Sequence, residues 1–357
     1  MASRRLVVYN VQRLFRPGGS RIARALDATE ERGWTAAVYR RKVQAVGTML
    51  ADATAGERPA LLVLIEVEDG HVVADVCAAA GWPELIDLSV PDEAMDGYDV
   101  ALAYDPATFV TVSNARSFTF ENRFATRDLL MATLHLDDGR ELTVLASHWA
   151  SRTMSDAEVL RIGAAIFCTN ILERLLKFSK EETLGATGRP RLPAREKLAA
   201  RWSTPILFAG DLNDSPWDRS VGTLLNSTPD ATLVLRPPRL PLGRSRSSMA
   251  AYLRLRPRLY NPTWTLLAAA GGSPRGTYRF GSDWYALDQI LVSAGMLGAG
   301  TPVLRPGSLR VHSPRTLLAS DGTVIQARAG DGTPLPFRAA ESIGVSDHLP
   351  LMADLDV

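Results

Sequence analysis

Apolar residues fall into short runs rich in β-branched side chains, the pattern of buried strands. Leu6–Asn10, Leu61–Val67, Asp99–Tyr104, Leu129–Leu136, Leu142–Trp149, Pro205–Leu212, Leu287–Ser293 and Leu349–Leu355 are the predicted strands. Between some of them the spacing becomes helical. Trp34–Leu50 repeats Val38, Ala45, Val46, Met49 and Leu50, and Val72–Ala80 ends at Gly81, a good C-cap. A capping box is expected at Ser155–Asp156–Ala157–Glu158, ahead of a stripe of Leu160, Ala164, Phe167, Ile171, Leu172 and Leu175. Ser215 before Pro216 predicts a further helix start. Asp137–Asp138–Gly139–Arg140 predicts a hairpin turn, so helices and hairpins both join the strands and the sheet is expected to be mixed. Lys177–Arg201 and Arg236–Arg258 break the pattern and are expected to be loops or insertions. With no internal repeat and no evident linker, residues 1–357 are expected to form one domain.

Composition narrows the classes. Hydrophobic residues make up 46% and charged residues 22%, which supplies a large core and excludes a disordered, collagen-like or coiled-coil chain. Forty Lys+Arg against 39 Asp+Glu leave a net charge of +1, so any grip on nucleic acid must be local. Cys77 and Cys168 lie far apart in apolar helical surroundings and read as buried thiols, without a zinc site or disulfide framework. The N-terminal MASRRLVVYNV lacks an apolar signal region and no run approaches the ~20 residues that span a bilayer, so a cytoplasmic protein with no membrane partner is expected.

The informative feature is where polar residues interrupt the strands. Asn10 ends the first, Glu66 interrupts LLVLIEVED, His148 follows LTVLAS, and Asp211 and Asn213 follow PILFAG. Asp288 opens LDQILVS, and Asp347 and His348 precede the last strand. In a sheet with antiparallel members the end of one strand and the start of its neighbour share an edge, so these eight residues can gather at one rim. Carboxylates crowded there repel unless a cation compensates, and oxygen donors suit a hard ion such as Mg²⁺ or Mn²⁺. Singly, each has a bland explanation. Asn10 could form a turn, Gly-Asp-Leu-Asn a capped loop and Ser-Asp-His a turn before an edge strand. Glu66 is harder to dismiss, because a buried unpaired carboxylate is costly. His71, His135 and His312 have no such company and read as surface or structural.

In this order the segments VVYNVQRLF, LLVLIEVED, LASHWASR, FAGDLNDSP, ALDQILVS and GVSDHLPL resemble the endonuclease/exonuclease/phosphatase superfamily of metal-dependent, DNase I-like phosphoesterases. TRDLL, SHWASR, LYNPTW and GTYRFGSDWYALDQILVS are similar to a bacterial branch of it. Two departures are visible: Ile65 stands where Gln often precedes the metal-binding Glu, and Gln12–Arg13 replaces a common Glu-Asn. The resemblance implies an α/β four-layer sandwich, two packed mixed β-sheets flanked by helices, with the site at one end. It implies Glu66 as principal ligand of Mg²⁺ or Mn²⁺, with Asn10 and Asp347 beside it. It further implies Asp211 as activator of the attacking water, Asn213 as its support, His348 paired with Asp288 at the scissile phosphate, and His148 on a non-bridging oxygen. Arg152 could clamp a phosphate or equally hold its loop by a salt bridge, and Arg127 is a weaker candidate of the same kind.

For the substrate, a nuclease acting on DNA or RNA is motivated by the seven arginines of Arg236–Arg258, with Tyr252 and Tyr260 for base stacking; a solvated basic loop is the alternative. A phosphatase or phosphodiesterase for a small phosphoester (a nucleotide or inositol phosphate) is the second hypothesis, although the 5-phosphatase signature PAWCDR is missing. A binding scaffold without activity is the third, and it has no use for a costly acid cluster. No feature of the chain fixes an oligomeric state.

Overall fold

The computed structural model describes residues 3–18, 20, 24, 33–90, 99–120, 126–184, 192–236, 245–268, 274–298, 300, 302–339 and 343–357. The strands in chain order are β1 (Ser3–Leu14), β2 (Leu61–Val67), β3 (Ile86–Asp87), β4 (Asp99–Tyr104), β5 (Thr111–Phe120), β6 (Thr126–His135), β7 (Glu141–His148), β8 (Ile206–Asp211) and β9 (Ser227–Thr228). They continue as β10 (Leu259–Tyr260), β11 (Tyr278–Phe280), β12 (Asp283–Tyr285), β13 (Asp288–Val292), β14 (Val303–Leu304), β15 (Arg310–Val311), β16 (Thr316–Leu318), β17 (Val324–Gln326) and β18 (Leu351–Asp356). The longer helices are α1 (Ala36–Thr54), α2 (Gly70–Ala79), α3 (Ala157–Leu176), α4 (Arg195–Trp202) and α5 (Arg246–Leu253).

Among the described residues, one sheet runs β14-β18-β1-β2-β4-β3 with β15 beside β18, and a second runs β5-β6-β7-β8-β13-β10-β9. Both are mixed: β1–β2 and β7–β8 are parallel, whereas β18–β1 and β8–β13 are antiparallel. Strand alternation sorts the side chains into layers. Leu6, Val8, Leu61 and Val63 of the first sheet meet Leu142, Val144, Leu207 and Ile290 of the second in a shared inner core. Val7, Tyr9, Leu62 and Leu64 face the other way, against Val46 and Met49 of α1 and Val73 and Val76 of α2. Leu145, Phe208 and Leu291 face Ala165, Cys168 and Leu172 of α3. The result is helix, sheet, sheet, helix, the expected sandwich. Cys77 and Cys168 are both buried free thiols.

Local departures have local causes. The capping box at Ser155 is not formed: Asp156 takes the N-cap position in the left-handed region (φ 56°), where its side chain makes no cap bond. Ser215 caps nothing, because Pro216–Asp218 form a turn and a short π-helix starts only at Arg219. The stretches expected as loops contain α4 and α5, and buried contacts tie them down. Lys177 Nζ donates to the carbonyls of Leu253 and Leu255, and the hydroxyl of Tyr252 accepts the N–H of Phe178 at 2.8 Å.

Gly210 shows how tightly the second sheet is drawn together. Its φ is +145°, and a Cβ there would lie 1.9 Å from the carbonyl oxygen of Ser147 on β7. Backbone cannot retreat as a flexible side chain can. Gly210→Ala is therefore expected to lower stability by about 3 kcal/mol, read as the shift in urea midpoint. A wild-type midpoint would show that the β7–β8 contact is looser than described.

Candidate active site

Strand pairing sets His148, Asp211 and Asp288 side by side: His148 faces Asp211 across β7–β8, and Asp211 faces Asp288 across β8–β13. Cross-strand partners point to the same side of a sheet. The trio thus continues the inner apolar rows, following Leu142, Val144 and Ala146 on β7 and Leu207 and Ala209 on β8, and leading into Ile290 and Val292 on β13. All three side chains are buried. Asn10 continues the row of Leu6 and Val8 on β1 in the same way.

Glu66 reaches this place by breaking the alternation. Leu61, Val63 and Ile65 point inward and Leu62 and Leu64 outward, so a regular strand would send Glu66 outward. Instead Glu66 adopts φ 67°, the β2–β4 register shifts between Ile65 and Val67, and Val67 packs on the outer face. β1 bulges beside it: three residues, Val11–Arg13, lie opposite the single Glu66, with Gln12 at φ 56° and Arg13 at φ 53°. Bulges that re-aim a side chain, and non-glycine residues held in the left-handed region, concentrate at functional sites.

The contacts are short. Asn10 Nδ2 donates to Asp211 Oδ2 at 2.9 Å and to Glu66 Oε1 at 3.2 Å, while its Oδ1 accepts the Gln12 N–H at 3.0 Å. Asn10 thus meets the two carboxylates as a donor bridging them. The Arg13 N–H donates to Glu66 Oε2 at 2.9 Å, and the Asn213 N–H donates to Asp211 Oδ1 at 2.9 Å. His348 Nδ1 donates to Asp288 Oδ2 at 2.7 Å, leaving Nε2 3.8 Å from Asp211 Oδ2. His148 Nε2 lies 3.7 Å from Asp211 and 3.9 Å from Glu66. Burial opposes a charge on His348, but Asp288 and Asp211 outweigh it and push its pKa up to about 10. Burial likewise pushes Asp211 up to about 6, against the pull of the His348 cation.

Asp347 is half-buried, and its charge acts on Lys42, Tyr9 and His348, which places it on the same rim. Arg152 faces its own loop: Nε donates to the Asn213 carbonyl at 2.8 Å, the guanidinium pairs with Asp218 at 2.5 Å, and it lies 5.1 Å from the Tyr285 ring centre. The salt-bridge alternative describes this geometry. The side chain of Arg127, on β6, lies outside the described residues. Of the other histidines, His135 contacts Ser113 and Glu141, His312 pairs with Asp52, and His71 is exposed.

Three participants went unread in the sequence. Ser346 Oγ donates to the Asn10 carbonyl at 2.7 Å and accepts the His348 N–H at 3.1 Å, clamping the last strand to the first. The Tyr278 ring packs against that of His348, with centres 4.9 Å apart and planes tilted by 42°. Lys42, on α1, is buried against the bulge of β1, and its Nζ donates to the Gln12 carbonyl. Burial lowers its ammonium to about 7, while Glu66 and Asp347 pull the other way. Ser346 had a signal in its place beside Asp347 and His348; Lys42 had none, as one polar position within an amphipathic helix.

The donor set fits a hard divalent cation. Four carboxylates, Glu66, Asp211, Asp288 and Asp347, gather on one rim, and Asp288 Oδ1 is buried with no hydrogen-bond partner among the described residues. Among the described residues, ligand atoms of Asp211, Asp288 and His348 also lie within 4.8 Å of one another. The hydrogen bond between Asp288 and His348 already occupies that group's Nδ1, so the Glu66 side of the rim is the freer place for an ion.

A model of the endonuclease/exonuclease/phosphatase family matches residues 6–188. No curated protein matches the chain. Among solved structures, a truncated TDP2 from Caenorhabditis elegans is similar over 99% of this chain and 98% of its own, with a TM-score of 0.54 and 14% identity. The mannosyl-6-phosphatase Bt3783 of Bacteroides thetaiotaomicron is similar over 99% and 100%, with a TM-score of 0.51 and 12% identity. These likenesses are of fold, and the match that spans half the sequence is of family. With the strand-end acids and histidines gathered at one end of the sandwich, the chain belongs to the endonuclease/exonuclease/phosphatase family, whose members are phosphoester hydrolases.

Proposed function

We propose that the protein is a divalent-metal-dependent phosphodiesterase acting on DNA or RNA. The observation that carries hydrolysis is the in-register row of His148, Asp211 and Asp288, with His348 closing on it. Asp211, with one oxygen fixed by Asn213 and the other by Asn10, takes a proton from water near neutral pH, as its raised pKa favours. The water oxygen forms its bond to phosphorus as the opposite P–O bond breaks. His348, kept cationic by Asp288, donates through Nε2 to a phosphoryl oxygen, and His148 faces the same space. Glu66, with Asp347 beside it and Asn10 bridging it to Asp211, would hold the cation, which would supply Lewis-acid stabilisation of developing negative charge.

For the nucleic-acid substrate, the arginine stretch offers less than its composition promised. Tyr252 is 1% exposed and cannot stack on a base, and Tyr260 packs half-buried against the inner core. Arg254, Arg256 and Arg258 are exposed, although Arg256 spends a guanidinium N–H on the Leu224 carbonyl. The support lies instead beside the Asp211 loop. Trp217 is 48% exposed and packs edge-on at 5.8 Å against Trp264, whose Nε1 has no partner among the described residues. Asp218, next to Trp217, is tied through Arg152 to Asn213, so this pair adjoins the reacting groups. The exposed Trp217 indole, braced by Trp264, offers a π-face to a base, worth about 1–3 kcal/mol.

The test is a Mg²⁺/Mn²⁺ activity panel of plasmid, linear double- and single-stranded DNA, RNA, inositol phosphates and a base-free phosphodiester. Cleavage of a polynucleotide by the wild type and not by Asp211→Asn is expected. Turnover confined to small phosphoesters would overturn the nucleic-acid assignment, and none on any ester would overturn hydrolysis. Trp217→Ala should raise KM for the oligonucleotide about tenfold and leave the base-free ester unchanged. Equal effects on both would remove Trp217 from substrate binding.

A further inference from the structure

We infer that Lys42 is a positioning residue for the metal-binding carboxylate, acting through the single peptide that joins Gln12 to Arg13. The inference rests on the metal role proposed for Glu66. The carbonyl of Gln12 and the N–H of Arg13 belong to one planar unit and point in opposite directions. Lys42 Nζ holds the oxygen side, and Glu66 Oε2 accepts the N–H on the other side at 2.9 Å. Fixing one end fixes the other.

The peptide needs holding. Gln12 and Arg13 both stand in the left-handed region, which costs of order 1–3 kcal/mol each and persists only where the surroundings impose it. The surroundings converge on Gln12. Its N–H orients Asn10, its side-chain Oε1 accepts the Phe337 N–H at 3.0 Å, and its carbonyl takes Lys42. The ammonium in turn lies 5.6 Å from the Trp34 ring centre and 5.4 Å from that of Phe337. Trp34 is itself pinned by a 2.8 Å hydrogen bond from Nε1 to the Phe15 carbonyl. A lysine only 3% exposed is expensive to bury and forms no ion pair of contact length among the described residues. Its placement is explained by what it grips. Polarising the carbonyl also strengthens the N–H on the far side of the same peptide as a donor to Glu66.

Charge alone predicts the opposite outcome from positioning. Removing a cation beside Glu66 and Asp347 would tighten a divalent ion, whereas releasing the peptide would loosen it. Lys42→Met preserves length and apolar packing and removes the donor. Mn²⁺ affinity, followed by the paramagnetic resonance of free Mn²⁺ without substrate, is expected to fall about 10–100-fold, as for loss of a partner that orients a ligand. Exchange of the Arg13 amide hydrogen should accelerate while the amides of α1 stay protected. Unchanged or tighter Mn²⁺ binding in the folded variant overturns the inference. If Lys42→Met does not fold, Lys42→Leu, which likewise removes the donor, is read by the same two measurements. Glu66→Gln separates the two levels. If it binds Mn²⁺ as wild type does, the metal role of Glu66 fails; if it binds weakly while the Lys42 variant binds normally, only the role of Lys42 fails.

Discussion

Asp211→Asn is expected to cut turnover by about 10²–10⁴-fold, the usual contribution of a positioned general base. The amide matches the carboxylate in shape but cannot take a proton from water. The same change should also alter how stability depends on pH. A buried carboxylate whose folded pKa is raised from 3.8 to about 6 is penalised when ionised. That penalty is absent below about pH 4, grows as the pH rises and is complete above about pH 6. With divalent ions chelated, melting temperatures should therefore fall more between pH 4 and pH 7 in the wild type than in the variant. A folded variant with near-wild-type turnover would place the base elsewhere.

The second large effect concerns Asp288. It accepts the Nδ1–H of His348, and together with Asp211 it lifts the imidazole to about 10 in spite of burial. Asp288→Asn removes that charge, so His348 should titrate closer to neutrality and turnover at pH 8 should fall about 10²-fold or more. The wild-type rate should hold as the pH approaches 10, whereas in the variant the alkaline decline should begin near neutrality. Stability follows the same sign. A histidine raised in the folded state contributes stability that is complete below about pH 6.5 and lost as the pH climbs through about 10. Melting temperatures measured between pH 7 and 10.5 should drop in the wild type and change less in Asp288→Asn. Identical alkaline limbs in rate and melting would show that the pair does not set the charge of His348.

Much of this was written locally. β2 and β4 have the ends that their apolar runs predict, and the eight polar interruptions lie at one end of the sandwich because strand ends are local features. The aim of Glu66 was not legible. A bulge is a property of paired strands, and neither LLVLIEVED nor VVYNVQRLF reveals that three residues of one will oppose one residue of the other. Lys42 was hidden for the same reason: the helical period says which positions are polar, not which polar position is buried by a distant Phe337. Tyr252 erred the other way. Its basic neighbours resemble a binding surface, but its hydroxyl serves the Phe178 amide. The capping box at Ser155 failed because the incoming chain, not the four-residue pattern, decides the N-cap conformation.

The reacting groups stand on the same rows that bolt the two sheets together. Anything that altered the spacing of Ala146, Ala209 and Ile290 would be transmitted within two residues to His148, Asp211 and Asp288. The floor of the pocket is thereby mortgaged to the integrity of the whole scaffold and has little room to drift. Trp217 and Trp264 carry no such obligation. A lineage adapting to a new ester would rewrite those indoles and leave the floor alone.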